Sequence, residues 1–168
     1  MKNIYFLRHA KSSWDDFRLK DFDRPLATRG IQDADLMGNY FLSKRIKLDL
    51  IISSPSRRTK ETIDHFFLKT KQNIVYEDKI YHCGIEEILN EIYGLDESIK
   101  SVMVVGHNPS MHEITEHLTG KYLEKYPTCG LAALSYIDIW TELKAGSADL
   151  EFFLKPSQLR SRHALSCH

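Results

Sequence analysis

Short apolar runs and helix-spaced apolar positions alternate along this chain, and their order predicts a mixed α/β fold. Ile4–Leu7 is long enough for a buried strand and too short for a helix. From Thr28 to about Lys44 the residues Ile31, Ala34, Met37, Phe41 and Leu42 recur at helical spacing, with Thr28 placed to cap the helix. The alternation then repeats, with a strand at Leu50–Ile52, a turn at Ser53-Ser54-Pro55 and a helix from Arg57 to about Lys69. A weaker strand, Ile74–Tyr76, leads into a helix over Ile85–Ile92 that keeps Ile88, Leu89 and Ile92 on one face. Val102–Val105 is the clearest buried strand, and Gly106-His107-Asn108-Pro109 turns it into a helix ending near Leu118. Ala133–Ile139 and Leu150–Leu154, separated by a turn near Gly146, suggest a closing hairpin.

Strands alternating with helices predict a three-layer α/β/α sandwich around a largely parallel central sheet. No repeat, low-complexity tract or linker divides the 168 residues, so 1–168 reads as one domain, with about 156–168 as a C-terminal tail. The basic run Arg160-Ser161-Arg162-His163 in that tail reads as a frayed surface end. Lys11 to Leu26 is polar, rich in Asp and Arg, and reads as a long functional loop. In parallel sheets ligands bind beyond the carboxyl ends of the strands. Three strands are each followed at once by a cationic or His-bearing loop: Arg8-His9, Arg57-Arg58 and His107. Those loops are expected to converge.

Composition narrows the classes without naming a function. Apolar residues make up 42% and charged residues 27%, the balance of a globular protein. Lys+Arg and Asp+Glu both total 23, so no global field draws the chain to nucleic acid or an anionic membrane. An anion site has to be built locally. The N-terminal apolar run is cut by charge too early for a signal peptide, and no apolar stretch approaches the roughly 20 residues needed to cross a bilayer. Cys83, Cys129 and Cys167 form no CxxC pair, which fits reduced thiols and a cytoplasmic protein. His112 and His117 are five apart and diverge around a helix, and His82-Cys83 is an isolated pair, so no metal site is expected.

Two guanidiniums and two imidazoles around one cavity suit a phosphoryl group. Arg binds phosphate oxygens through its planar fork and keeps its charge. In-line phosphoryl transfer relies on positioning and on neutralising equatorial oxygen charge. A neutral histidine held in one tautomer can act as the nucleophile. Helix N-termini after Ser54-Pro55 and after His107-Asn108-Pro109 would add backbone donors. Arg57 reads instead as a solvated or salt-bridged helix residue. Arg24 is divided between a pocket role and an ion pair with Asp21 or Asp23, and Ser12 between a phosphate donor and an ordinary loop serine.

Arg8-His9-Ala10 followed by Lys11-Ser12-Ser13-Trp14 resembles the Arg-His-Gly opening of the histidine phosphatase superfamily, also called the phosphoglycerate mutase-like fold. Ser53-Ser54-Pro55-Ser56-Arg57-Arg58, with Thr62 beyond, is similar to its second motif, and Val105-Gly106-His107-Asn108 to its third. Asp21-Phe22-Asp23-Arg24-Pro25-Leu26 with Arg29-Gly30, and Lys155-Pro156, resemble the SixA-like phosphohistidine phosphatase branch. The resemblance implies that His9 becomes the phosphohistidine while Arg8, Arg58 and His107 grip the phosphoryl group, with Arg24, Ser12 and Asn108 as substrate contacts. It implies no metal and no organic cofactor. Ala10 stands where the family has glycine, which is tolerable if no positive φ is needed. Asp15 stands where the mutase branch tends to carry Asn, and would repel phosphate if it pointed inward.

A phosphomonoesterase needs an acid to protonate the leaving alkoxide. The mutase branch takes a Glu from an insertion between its second and third motifs, and here that interval is short. Glu86, Glu87, Asp21 and Asp23 are candidates by location alone. A short interval implies little lid and an open site. A phosphohistidine has an imidazole leaving group of pKa about 6.5, which needs less of an acid. Both points favour a phosphorylated protein over small sugar phosphates as the partner. The rival readings are a small-molecule phosphomonoesterase and a phosphate-binding module without turnover.

Overall fold

The computed structural model describes residues 1–68 and 70–166, and side chains as far as Arg162. Lys69, taken above as the approximate end of a helix, and Cys167 lie outside the described residues. Six strands, β1 (Lys2–Arg8), β2 (Leu50–Ser53), β3 (Ile74–Tyr76), β4 (Ser101–Gly106), β5 (Leu131–Tyr136) and β6 (Asp149–Leu154), form one sheet in the order β3-β2-β4-β1-β5-β6. The first four run parallel, and β5 is antiparallel to both β1 and β6. The helices are α1 (Thr28–Ser43), α2 (Arg57–Phe66), α3 (Ile85–Tyr93), α4 (Ser110–Thr119) and α5 (Pro156–Ser166).

Strand alternation assigns the two faces. Ile4, Phe6, Val102 and Val104 point into a core closed by Ile88 and Ile92 of α3 and Met111 and Ile114 of α4. Tyr5, Leu7, Met103 and Val105 point the other way, against Met37 and Phe41 of α1, Ile63 and Phe66 of α2 and Leu159 of α5. The expected three-layer α/β/α sandwich is therefore the observed one. β1 and β4 are apolar without alternation because both faces are covered.

Some boundaries differ from expectation. Thr28 is the first helical residue of α1 and Ala27 precedes it, with no side-chain cap. The strand expected to reach Ile139 stops at Tyr136, because Trp140–Glu142 forms a 3-10 turn that buries Trp140. The Lys11–Leu26 loop carries a 3-10 turn at Asp21–Asp23 and is clasped by a bridge between Ser12 and Leu26. The tail expected to fray is helical through Ser166. Leu159 is buried against α1, and Arg160 Nη1 donates to Asp33 Oδ1 at 2.5 Å. No helix among the described residues is long and apolar enough to cross a membrane.

Candidate active site

Sheet register brings the catalytic candidates to one level. Arg8 pairs with Gly106 across β1–β4, and Ser53 pairs with Val105 across β2–β4. The next backbone amides continue the ladder, with His9 N donating to Gly106 O at 3.0 Å and Ser54 N to Val105 O at 3.0 Å. His9, Ser54 and His107 thus leave the sheet together. His9 is held from two further sides. Cys129 N donates to its carbonyl at 2.9 Å, and Ala10 N donates to Thr62 Oγ1 at 2.9 Å. Positive φ among the described non-glycine residues occurs at Arg45 and Cys129 and not at Ala10, so Ala10 costs nothing where the family carries glycine.

The proton positions on both histidines follow from their partners. His9 Nδ1 lies 2.7 Å from Ala10 O, and a carbonyl only accepts, so Nδ1 carries the hydrogen and Nε2 keeps its lone pair. Arg58 Nη2 lies 3.3 Å from His107 Nδ1, and a guanidinium only donates, so Nδ1 is the acceptor. His107 Nε2–H then donates to Ser54 Oγ at 2.8 Å. Burial pushes His9 down to about 3, helped by the charges of Arg58, Arg8 and Arg24 and opposed by the bond to Ala10. Burial does the same to His107, also about 3, with His9 and Arg58 adding to it and Asp21 opposing. Both rings are neutral, and their centroids are 5.2 Å apart.

Around them stand three arginines. Arg8 Nη1 donates to Tyr126 O at 3.0 Å, while its buried Nε has no partner among the described residues. Arg58 donates through Nη1 to Asp21 O at 2.7 Å and through Nη2 to Asp21 Oδ2 at 3.0 Å. Arg24, divided between two roles in the sequence, takes both. It lines the pocket, and it donates to Ser13 O, Asp21 Oδ1 and Ser12 Oγ. Its guanidinium also lies 3.1 Å from the centre of the exposed Trp14 ring. Arg57 points outward and pairs with Glu61 at 2.9 Å. A cavity of about 340 Å³ opens onto His9, Arg8, Arg24, Arg58, Ser12 and Asn108. A second, of about 500 Å³, adjoins it, sharing Arg58, His107 and Asn108 and reaching Tyr81 and His82.

Of the carboxylates offered as general acids, Glu86, Glu87 and Asp23 line neither cavity. Glu87 accepts from Gly84 N at 3.0 Å and caps α3, and Glu86 is exposed on the same helix. Asp23 is exposed as well. Asp21 does reach the site, but as a carboxylate. Partial burial works to raise it, yet hydrogen bonds from Tyr81, Arg58 and Arg24 and the charge of Arg58 bring it to about 2. An acid that has already lost its proton cannot give one. Asp15 is exposed and outside both cavities, so it does not oppose an anion there. Sequence reasoning missed Tyr81, whose hydroxyl donates to Asp21 Oδ2 at 2.5 Å and whose ring meets His107 at 5.4 Å. It also missed Ser54 as the partner of His107. The available signal was Tyr81-His82-Cys83-Gly84, a polar cluster between a strand and a helix.

The model of the histidine phosphatase superfamily, branch 1, matches residues 4–88. The chain belongs to the histidine phosphatase superfamily. A crystal structure of the SixA protein of Agrobacterium tumefaciens is 32% identical, covers 92% of this chain and 98% of its own, and superposes with a TM-score of 0.80. A chloroplastic protein of Arabidopsis thaliana is 32% identical over 155 residues, 84% of this chain and 70% of the relative. The phosphohistidine phosphatase SixA of Escherichia coli is 20% identical over 167 residues, 96% of this chain and 99% of the relative. The fold is the phosphoglycerate mutase-like one and the branch is SixA-like. Membership supports phosphatase activity.

Proposed function

We propose that this protein removes phosphate from phosphohistidine on a protein partner, by way of a phosphoenzyme on His9. The observation that carries the reading is the proton inventory of His9. Its Nδ1–H is spent on Ala10 O, leaving a neutral ring with a free Nε2 lone pair facing three guanidiniums. In this mechanism Nε2 attacks phosphorus in line. Arg8, with its unpaired Nε, and Arg58 take the equatorial oxygens. His107 takes a proton at Nδ1 from the incoming phosphoryl monoanion as Arg58 turns to the phosphoryl group, and then donates a hydrogen bond from Nδ1–H to a phosphoryl oxygen. Arg24, Ser12 and Asn108 line the rim and orient the substrate. Water then discharges the phosphohistidine.

Two features support a protein-borne phosphoramidate. Both cavities open to solvent, the first beside the exposed Trp14, which leaves room for a side chain presented on another protein's surface. The carboxylate lining these cavities, Asp21, is ionised, and an imidazole leaving group, which requires less protonation than an alkoxide, can be served by a weaker acid than a carboxyl. Brief exposure to a phosphate donor, followed by mass spectrometry without acid, is expected to place phosphate on His9. Turnover in His9→Ala equal to wild type would overturn the mechanism. A higher kcat/KM for sugar phosphates than for a phosphohistidine protein would transfer the reading to a small-molecule phosphomonoesterase.

A further inference from the structure

The cavity next to the phosphoryl pocket shares Arg58, His107 and Asn108 with it and has room for a leaving group, and its titratable lining residues can be taken in turn. Asp21 is an ionised carboxylate already accepting three bonds. Tyr81 spends its hydroxyl on Asp21, and burial pushes that hydroxyl above its ordinary value. Cys83 donates to Ile80 O at 3.6 Å, and burial raises its thiol too. His107 is neutral and its Nε2–H is committed to Ser54. His82 alone remains. It lines the cavity, is exposed to solvent, and its ring nitrogens have no hydrogen-bond partner among the described residues. Its ring lies tilted against that of Tyr81, with centroids 3.9 Å apart and planes at 42°, and its charge is felt at His107.

We infer that His82 is the general acid of this site, giving a proton to the leaving atom as the bond to phosphorus breaks. Histidine is the side chain suited both to hold and to release a proton near neutral pH. In the first half-reaction His9 Nε2 forms its bond to phosphorus, the bond from phosphorus to the leaving nitrogen or oxygen breaks, and that atom takes the proton from imidazolium His82. In the second, neutral His82 takes a proton from the attacking water. The new oxygen–phosphorus bond forms and the bond to His9 Nε2 breaks. His82 ends protonated, as it began. The groups facing it are Asp21 from the loop before α1, Arg58 from α2, His107 after β4, and its neighbours Tyr81 and Cys83.

This inference rests on the phosphatase reading but not on the identity of the phosphorylated partner. It is tested by how steeply rate depends on the leaving group. In His82→Gln, kcat/KM for phenyl phosphate is expected to fall about 10²-fold, and that for p-nitrophenyl phosphate, a far better leaving group, by less than about threefold. The fall of phenyl phosphate turnover with rising pH in the wild type should flatten in the variant. Because His82 is exposed, the variant should melt with the wild type, and added imidazole should restore phenyl phosphate turnover in His82→Ala. Equal losses on both substrates, or none, would remove His82 from the chemistry while labelled His9 kept the phosphatase reading intact. An unlabelled, inactive wild-type protein would instead sink both.

Discussion

Asp21 binds three neighbours with one carboxylate. Oδ1 accepts from Arg24, and Oδ2 accepts from both Arg58 and Tyr81. Its job is to aim two guanidiniums before substrate arrives, since aligned cations lower the reorganisation needed in the transition state. Asp21→Asn keeps the size but offers a single carbonyl acceptor and no charge. We expect kcat/KM to fall about tenfold, roughly 1.4 kcal/mol of transition-state stabilisation, with the loss shared between kcat and KM. Since Asp21 sits at about 2, its own ionisation should leave no inflection in the rate profile above pH 4, and an inflection removed by Asp21→Asn would contradict its being a carboxylate. From the sequence, Asp21 was legible as a candidate acid and as one of two possible ion-pair partners of Arg24, but not as the partner of Arg58. The cations that hold it ionised come from Arg24, three residues on, and Arg58, on another element, and only folding brings them together.

At the scale of elements, two glycines in α1 let chain segments touch. A Cβ on Gly38 would collide with the backbone carbonyl of Phe66 at the end of α2, and one on Gly30 with the backbone carbonyl of Lys11. The two contacts differ in what they support. Gly38 sits in the layer between helices, so Gly38→Ala should cost about 2 kcal/mol and lower Tm by roughly 4–8 °C while kcat is retained. Gly30 presses on the strand-like segment whose Lys11 carbonyl accepts from Ala27 N and whose Ser12 bridges Leu26. Gly30→Ala should therefore lower kcat/KM as well as Tm, because Ser12 and Arg24 move with that segment. Calorimetry beside steady-state kinetics separates the two, and equal kinetic losses would refute the distinction. The strands were legible because β1 and β4 are unbroken apolar runs flanked by polar turns, and the motif residues follow them directly. α5 was not, because its apolar residues form no helical stripe. It is held by Leu159 and by Arg160 on the buried Asp33, both tertiary contacts. Likewise the end of β5 at Tyr136 is set by Trp140 turning into the core, which no local period announces.

The whole molecule carries the cost of keeping two imidazoles neutral among cations. His9 and His107 titrate near 3 in the folded protein and near 6.5 when unfolded. Between those values the unfolded chain binds more protons than the folded one, so stability must fall as pH drops from about 6.5 toward 3. Asp21 works in the same direction at the lower end, losing its contribution as pH falls from about 3.9 to about 2. Melting temperature should thus decline steadily below pH 6.5, and His107→Gln should flatten part of that slope. A bound dianion changes the balance, since it favours protonated imidazoles and gives the three guanidiniums a partner. Sulfate stays dianionic throughout this range and serves as the probe. It should raise Tm by mass action, and raise it more at pH 5 than at pH 7, because ligand and protons then bind the folded state together. A sulfate effect independent of pH, or unchanged in Arg8→Ala, would mean that the anion binds away from His9 and His107.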